Sequence, residues 1–312
     1  MSTVQVIAAA MSSRARVVHL HDPELLWAVL LLRLMGRAVV YDAHEDLPDQ
    51  VRGKEYLAPL ARRVGVVVAH VAVRLAGRAH VVIGATPAIT RRFPADRTIV
   101  VRNVPRIMDD HVPPAPNECA PVAVYVGSLS HDRGLEVLTG VAGSPDLPSG
   151  WRIVTAGPID AAVDRRRFDA LVASGHIDHR GVVPPRAARE LMSGSRVGLL
   201  PLLPTPAYRM SIPTKLFEYM ASGTAVVATD VPLWRELLAG SECATWVPPG
   251  DPGAVVAALQ RYEDDPELLE RHAASGRALV RERFRWDREE QELLAVYRKL
   301  FGTTPLPEVG TH

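Results

Sequence analysis

Short apolar runs alternate along this chain with longer stretches in which apolar residues return every three or four positions. RVVHL, RAVVYD, HVVIG and TIVVRN read as buried strands. Between them lie segments of helical period: one from Glu24 to Met35, a long one from about Tyr56 to Ala76, and a short one after HVVIG. Met1 to Ser13 reads as the end of a helix. Pro105 to Pro121, rich in proline and polar residues, reads as an interdomain linker. The alternation then resumes with VAVYVG, WRIVTAG, IDHRG, RVGLLPL, AVVAT and CATWV as strands. Helices are predicted after His131, over Asp164 to Ala173, after Arg186, from Pro213 and at Trp234, then near Pro252 to Arg261 and Glu267 to Arg283. A last helix, Arg288 to Phe301, is apolar at Leu293, Leu294, Val296 and Tyr297. Apolar strands separated by helices predict parallel sheets covered on both faces, an α/β fold. The expected division is 1–112, 113–285, a closing helix over 286–301 and a tail, 302–312.

One stretch concentrates the chemistry: SIPTKLFEYMASGTAVVATD, Ser211 to Asp230. Pro213 suits the first helical position, Gly223 a left-handed stop, and AVVAT a buried strand. Leu216, Phe217, Met220 and Ala221 form the core stripe, while Lys215, Glu218 and Ser222 share another face. A lysine in the first turn opposes the positive end of the helix dipole, an unfavourable placement that a bound anion relieves. The plainer reading is a Lys215–Glu218 pair on a solvated face, contributing about 0.2–0.5 kcal/mol. Upstream, VAVYVGSLSHDRGLEVL joins a strand, a glycine turn and a helix start, a corner whose backbone N–H groups can bind an anion.

Composition narrows the class. A chain of 312 residues, 47% hydrophobic, is large enough for two cores. A net charge of +1 argues against nucleic acid as a partner. Cys119 and Cys243 are far apart and in no metal spacing, which predicts reduced thiols in a cytoplasmic protein. LLWAVLLL and VGVVVAHVAV are too short and too interrupted to span a bilayer, and no secretion signal is visible. In a parallel sheet, ligands gather beyond the carboxyl ends of the strands, which places His19, His21, Asp22, Asp42, His44, Glu45 and Asp46 toward a cleft. For His19 a helix cap or core contact is preferred. DAHED also offers carboxylates and an imidazole competent to ligate a metal.

The Ser211–Asp230 stretch, with the chain order around it, resembles the donor-site segment of retaining GT-B glycosyltransferases of the large family-4 type. HLHDPELLWAVLLLRL, VVYDAHEDLP and the closing FRWDREEQELLAVYRKL are similar to further segments of that family, the last to a helix that crosses back to the first domain. The resemblance implies two Rossmann-like domains facing a cleft, the first N-terminally incomplete. It also implies transfer of a sugar, with retention, from a nucleoside-diphosphate donor to an acceptor hydroxyl in polysaccharide, glycolipid or other glycoconjugate biosynthesis. No cofactor and no bound metal are implied.

Carried over residue by residue, the resemblance makes Glu218 the group that holds the ribose hydroxyls. The family's first glutamate falls on Met210, which cannot accept a hydrogen bond from a sugar. Arg133 and Lys215 fall on the diphosphate, and Gly127, Ser128, Thr214 and Leu216 on the rest of the donor, with Ser128 standing where the family has a cation. Gly181 and Val182 border the base, and His44 bonds a sugar hydroxyl. His21, Asp22 and Glu45 fall on the acceptor side. Lipid-linked acceptors imply peripheral contact with the inner face of a membrane, and Arg62, Arg63, His70, Arg74 and Arg78 gather on one arc of their helix. A solvated outer face of a buried helix explains the same arc and is the preferred reading.

By ordinary domain size, the first domain is short by roughly 60–70 residues. Three explanations follow, in order: a start further upstream, a partner chain that completes the domain, or an impaired relic. A rival from another class is therefore a non-catalytic nucleotide-binding or scaffold subunit. A sugar-nucleotide epimerase on the same architecture ranks last, because no carboxylate pair is visible for it.

Overall fold

In the computed structural model, residues 2–53, 57–107, 112–161, 164–209 and 211–302 are described. Met210 and 303–312 lie outside them. The chain forms two compact units, one of Met1–Asn103 with Trp286–His312, the other of Val104–Arg285.

The first unit holds β1 (Val17–Leu20), β2 (Ala38–Ala43), β3 (Val81–Gly84) and β4 (Thr98–Val100), all parallel in that spatial order. Its helices up to the second unit are α1 (Thr3–Ser12), α2 (Ala28–Leu34), α3 (Leu47–Arg52), α4 (Pro59–Ala76) and α5 (Pro87–Thr90). Ser2 and Gln5 close α1 with a reciprocal capping box. The helix expected from Glu24 to Met35 is broken, since Pro23–Leu25 turns as a 3-10 segment before α2 begins. α3 was not expected. Asp46 caps it by accepting from the Asp49 N–H at 3.2 Å, and Arg92 pairs with Asp46 at 2.7 Å.

The second unit carries β5 (Ala120–Val126), β6 (Arg152–Ala156), β7 (Ile177–His179), β8 (Ser195–Leu200), β9 (Ala225–Thr229) and β10 (Ala244–Val247). Their order is β10-β9-β8-β5-β6-β7, all parallel, so the direction of winding reverses at β5. Around this sheet run α6 (Leu135–Ala142), α7 (Arg166–Ala173), α8 (Pro185–Ser193), α9 (Pro206–Arg209), α10 (Thr214–Ala221), α11 (Pro232–Leu237), α12 (Pro252–Asp264) and α13 (Pro266–Arg283). Burial along β9 is continuous, as a strand covered on both faces requires.

The last helix, α14 (Trp286–Phe301), belongs to the first unit, where Val296 joins a cluster with Val40, Val81, Ile83 and Val101. Glu289, 4% exposed, fastens it: its carboxylate accepts from the Arg102 backbone N–H at 2.7 Å and from Arg102 Nε at 2.8 Å.

The proline-rich segment is not a free linker. From Val104 it belongs to the second unit, and Pro113 packs so closely on Gly223 that a Cβ there would meet Pro113 Cγ at 2.7 Å. The unit therefore begins earlier than the expected residue 113.

Candidate functional site

The second unit contains a cleft of about 930 Å³ beyond the carboxyl ends of β5 and β6, at the reversal of strand order. Val126, Gly127 and Ser128 form its floor with Ala156, Gly157 and Pro158 from the next strand. The two turns touch. Gly157 has φ +143°, and a Cβ on it would lie 1.9 Å from the Gly127 carbonyl oxygen, so only glycine fits.

Lys215 and Glu218 of α10 line one wall and form an ion pair with each other. Both side chains are about 30% exposed, at 30% and 28%, so the pair faces the cleft instead of open solvent. The ion pair of the plainer reading is therefore present, on a cleft wall instead of a solvated face. α10 is placed by its neighbours. Trp234 Nε1 donates to the Ser211 carbonyl at 2.8 Å, fixing the approach to the helix, and Phe217 stacks on Phe284 at 4.5 Å. Gly276 of α13 packs against Met220, where a Cβ would meet Met220 Cγ at 2.9 Å. This close crossing brings the next residue, Arg277, into the cleft. Partial burial and the neighbouring Arg281 lower the Arg277 pKa, as expected of a cation in a place that favours an anion.

Arg106, Arg186 and Arg189 also line the cleft, with Glu190 the remaining carboxylate beside Glu218. Cations therefore outnumber carboxylates on its walls. None of these arginines was anticipated. Arg186 and Arg189 recur three apart on the polar face of α8, a weak signal that any solvated helix gives. For Arg277 no sequence signal exists, because its position follows from the α10–α13 crossing.

Several expected donor residues sit elsewhere. Arg133 is not among the cleft-lining residues: it rests against the hydroxyls of Tyr125 and Tyr208, with Nη1 3.6 Å from the site of a Cβ on Gly127. Burial opposes its charge, the two phenols outweigh this, and its pKa is raised. Leu216 is wholly buried, and its N–H returns to Pro213. Thr214 and Gly181 are off the lining, while Val182, 76% exposed, is on it. The glycine corner is largely spent as an anion binder. The N–H groups of Gly127, Leu129, Arg133, Gly134 and Leu135 donate to carbonyls of Ala156, Pro158, Ser130, His131 and Ser130 respectively.

Residues 141–295 match the family described as glycosyl transferase-like. The chain carries a glycosyltransferase domain. This domain includes Lys215, Glu218 and the walls built from α8, α10 and α13, whereas Gly127, Ser128 and Arg133 precede it.

Over 85 residues the chain is 38% identical to the lipopolysaccharide core biosynthesis mannosyltransferase LpcC of Rhizobium leguminosarum bv. viciae, covering 27% of this chain and 24% of that protein. It is 26% identical over 245 residues to alpha-maltose-1-phosphate synthase of Mycolicibacterium smegmatis, covering 68% and 60%. The chain thus spans less than two thirds of these relatives. Sucrose-phosphate synthase from Thermosynechococcus elongatus superposes with a TM-score of 0.72 at 20% identity, over 97% of this chain and 78% of that one. Anabaena HepE in complex with UDP-glucose gives 0.72 at 17% identity, over 95% and 82%. At such identity the likeness concerns the fold, which is GT-B.

On the first unit, the strand ends group the expected acceptor-side residues differently. His21 and His44 both approach Asp42 Oδ2 at 3.4 Å, and both are about half exposed, at 55% and 52%. His19 does not cap a helix: its Nδ1 bonds the Tyr297 hydroxyl of α14. Asp22 and Glu45 are exposed, and Asp46 is occupied as a helix cap. α4 also departs from expectation. Leu60, Val64, Val67, Val68 and Val71 on it are exposed, at 74, 56, 64, 61 and 49%. The helix shows an apolar stripe to solvent, edged by exposed Arg63 and Arg74.

Cys119 and Cys243 are free and buried. Among the described residues no helix is long and apolar enough to cross a membrane.

Proposed function

We propose that this chain is a sugar transferase that takes a nucleoside-diphosphate sugar as donor and passes the sugar, with retention, to an acceptor hydroxyl in polysaccharide or glycolipid assembly. The observation that carries the reading is the Lys215–Glu218 pair on the wall of a cation-rich cleft at the strand reversal, inside the glycosyltransferase domain. Departure of a nucleoside diphosphate builds negative charge. Lys215, Arg277 and the start of α10 supply fixed positive charge to meet it, so the chemistry is mainly electrostatic. Glu218 accepts from ribose hydroxyls, and Val182 borders the base. Arg133, held by Tyr125 and Tyr208, acts from beside Gly127. On the first unit, His44 is assigned to a sugar hydroxyl and His21, Asp22 and Glu45 to the acceptor. The mannosyltransferase and synthase relatives and the UDP-glucose bound to HepE support a nucleotide sugar as donor.

Lys215→Ala should slow transfer, or donor hydrolysis, by roughly 100-fold at saturating donor, as loss of one charge-stabilising donor does elsewhere. Glu218→Ala should weaken nucleotide-diphosphate binding by about 1.5–3 kcal/mol in calorimetry. Wild-type turnover in the first variant removes Lys215 from the site. Nucleotide binding without any turnover by the wild-type chain selects the scaffold reading instead, with a partner chain supplying the missing chemistry.

The exposed valines of α4 favour a second element of the proposal, peripheral contact with an anionic lipid surface. An apolar stripe edged by arginine is the composition of an interfacial helix. Sedimentation with anionic vesicles should fall at least about tenfold in Val67→Glu/Val71→Glu, since two buried apolar side chains become charged. Unchanged binding would dismiss the contact.

A further inference from the structure

The ends of β1 and β2 bring three imidazoles to one carboxylate oxygen. His19 Nε2 lies 3.8 Å, His21 Nδ1 3.4 Å and His44 Nε2 3.4 Å from Asp42 Oδ2. These separations exceed hydrogen-bond lengths, so the rings converge on the oxygen without bonding it. They are close to another length. Four ligands held tetrahedrally at about 2.0–2.1 Å from a zinc ion stand about 3.3–3.4 Å from one another. His19, His21 and Asp42 each present one ligand atom within 4.8 Å of the others.

The state of His19 is the second observation. Its Nδ1 is engaged by the Tyr297 hydroxyl, which leaves Nε2 to face Asp42, and among the described residues that Nε2 is buried with no hydrogen-bond partner. A buried polar atom without a partner is destabilising by about 1–3 kcal/mol unless something fills the place. A ring whose far nitrogen is fixed by an outer hydrogen bond, with the near nitrogen bare, is how metal-binding histidines are held. The rings are also set for this. His19 stacks on His21 at 4.3 Å and 16°, and His21 on His44 at 6.0 Å and 16°, so the three rings lie in a nearly parallel row with one nitrogen of each toward Asp42. Half-exposed His21 and His44 keep the place open to solvent, so an ion can reach it.

We infer that His19, His21 and Asp42 form a binding site for a divalent ion of the zinc class, with His44 alongside as the third imidazole. Imidazole nitrogen with a single carboxylate suits zinc and its neighbours in the transition series, whereas magnesium and calcium demand oxygen-rich shells. The ion would join the ends of β1 and β2 and, through Tyr297, the closing helix α14. Its ligands belong to the first unit, and it draws on His21 and His44, which the proposed function gives to the acceptor and the sugar, so it is tested by metal binding alone, without any transfer activity.

The test uses the full chain, stripped with a chelator and titrated with Zn²⁺ by calorimetry and with Co²⁺ by visible absorption. One equivalent should bind, Co²⁺ should give the intense bands of a low-coordinate site, and Mg²⁺ should give no heat. His21→Ala, at an exposed position that the fold tolerates, and Asp42→Asn should each weaken Zn²⁺ binding by more than tenfold, and Tyr297→Phe by about tenfold. A rise in melting temperature with Zn²⁺ in the wild type that is lost in His21→Ala provides a readout independent of any activity. No saturable binding of either ion, or binding that His21→Ala and Asp42→Asn leave unchanged, overturns the inference.

Discussion

Tyr219 offers a direct test of how the cleft floor is held. Its side chain is 0% exposed, and its hydroxyl accepts from the backbone N–H of Val126 at 2.9 Å. The β5–β8 register runs only as far as Val124 opposite Gly198, so two residues further on this phenol takes the place of a strand partner. The ring lies directly on Gly198, where a Cβ would meet ring Cγ at 2.4 Å, and it cannot swing aside. Burial pushes the phenol pKa upward, so the group stays neutral across the working pH range. Tyr219→Phe keeps the ring and its packing and removes one oxygen. What remains is a buried N–H without an acceptor, which destabilises by about 1–3 kcal/mol. At the middle of that range, a unit of this size should melt about 4–8 °C lower. Differential scanning calorimetry reads the shift, and urea titration with an unchanged slope assigns it to stability instead of a changed unfolded state. A midpoint within about 1 °C of wild type would refute the reasoning, because the Val126 N–H would then have another partner.

Two further outcomes follow from buried charge and buried imidazole. Glu289→Ala removes the acceptor of the Arg102 backbone N–H and guanidinium, and should destabilise the first unit by about 2–4 kcal/mol in urea unfolding, with Glu289→Gln recovering part; a change under about 0.5 kcal/mol would show that α14 docks by its apolar face alone. His272, with Nδ1 2.8 Å from the Tyr262 hydroxyl, has its pKa lowered from 6.5 by burial. The unfolded chain therefore takes up a proton that the folded one refuses: the stability is fully present above pH 6.5 and is lost as pH falls through the folded value, with a slope of at most about 1.4 kcal/mol per pH unit. His272→Gln should flatten that slope below pH 6.5, and identical slopes would exclude His272 as its source.

Strand positions were legible because burial on both faces demands uninterrupted apolar runs, and β2, β5, β8 and β9 have them. Lys215 and Glu218 were legible because helix spacing alone puts them on one face. The short α3 was not, since six residues capped by Asp46 carry too little periodicity to show. Tyr297 looked like one more apolar position of a closing helix. Its hydroxyl, and with it the role of His19, became visible only when α14 met the end of β1.

By itself, the order of apolar and polar residues determined two parallel α/β sheets, the helices between them, and the turn that carries Lys215. Local periodicity and capping act within a few residues, so one chain segment is enough to specify them. The cleft arginines and the exposed apolar stripe of α4 were decided by tertiary structure alone, as was the convergence on one Asp42 oxygen of three histidines that strand order had placed only toward a common cleft. Each depends on which elements pack together, and the residues it joins can be separated by hundreds of positions, as His19 and Tyr297 are, |i−j| = 278.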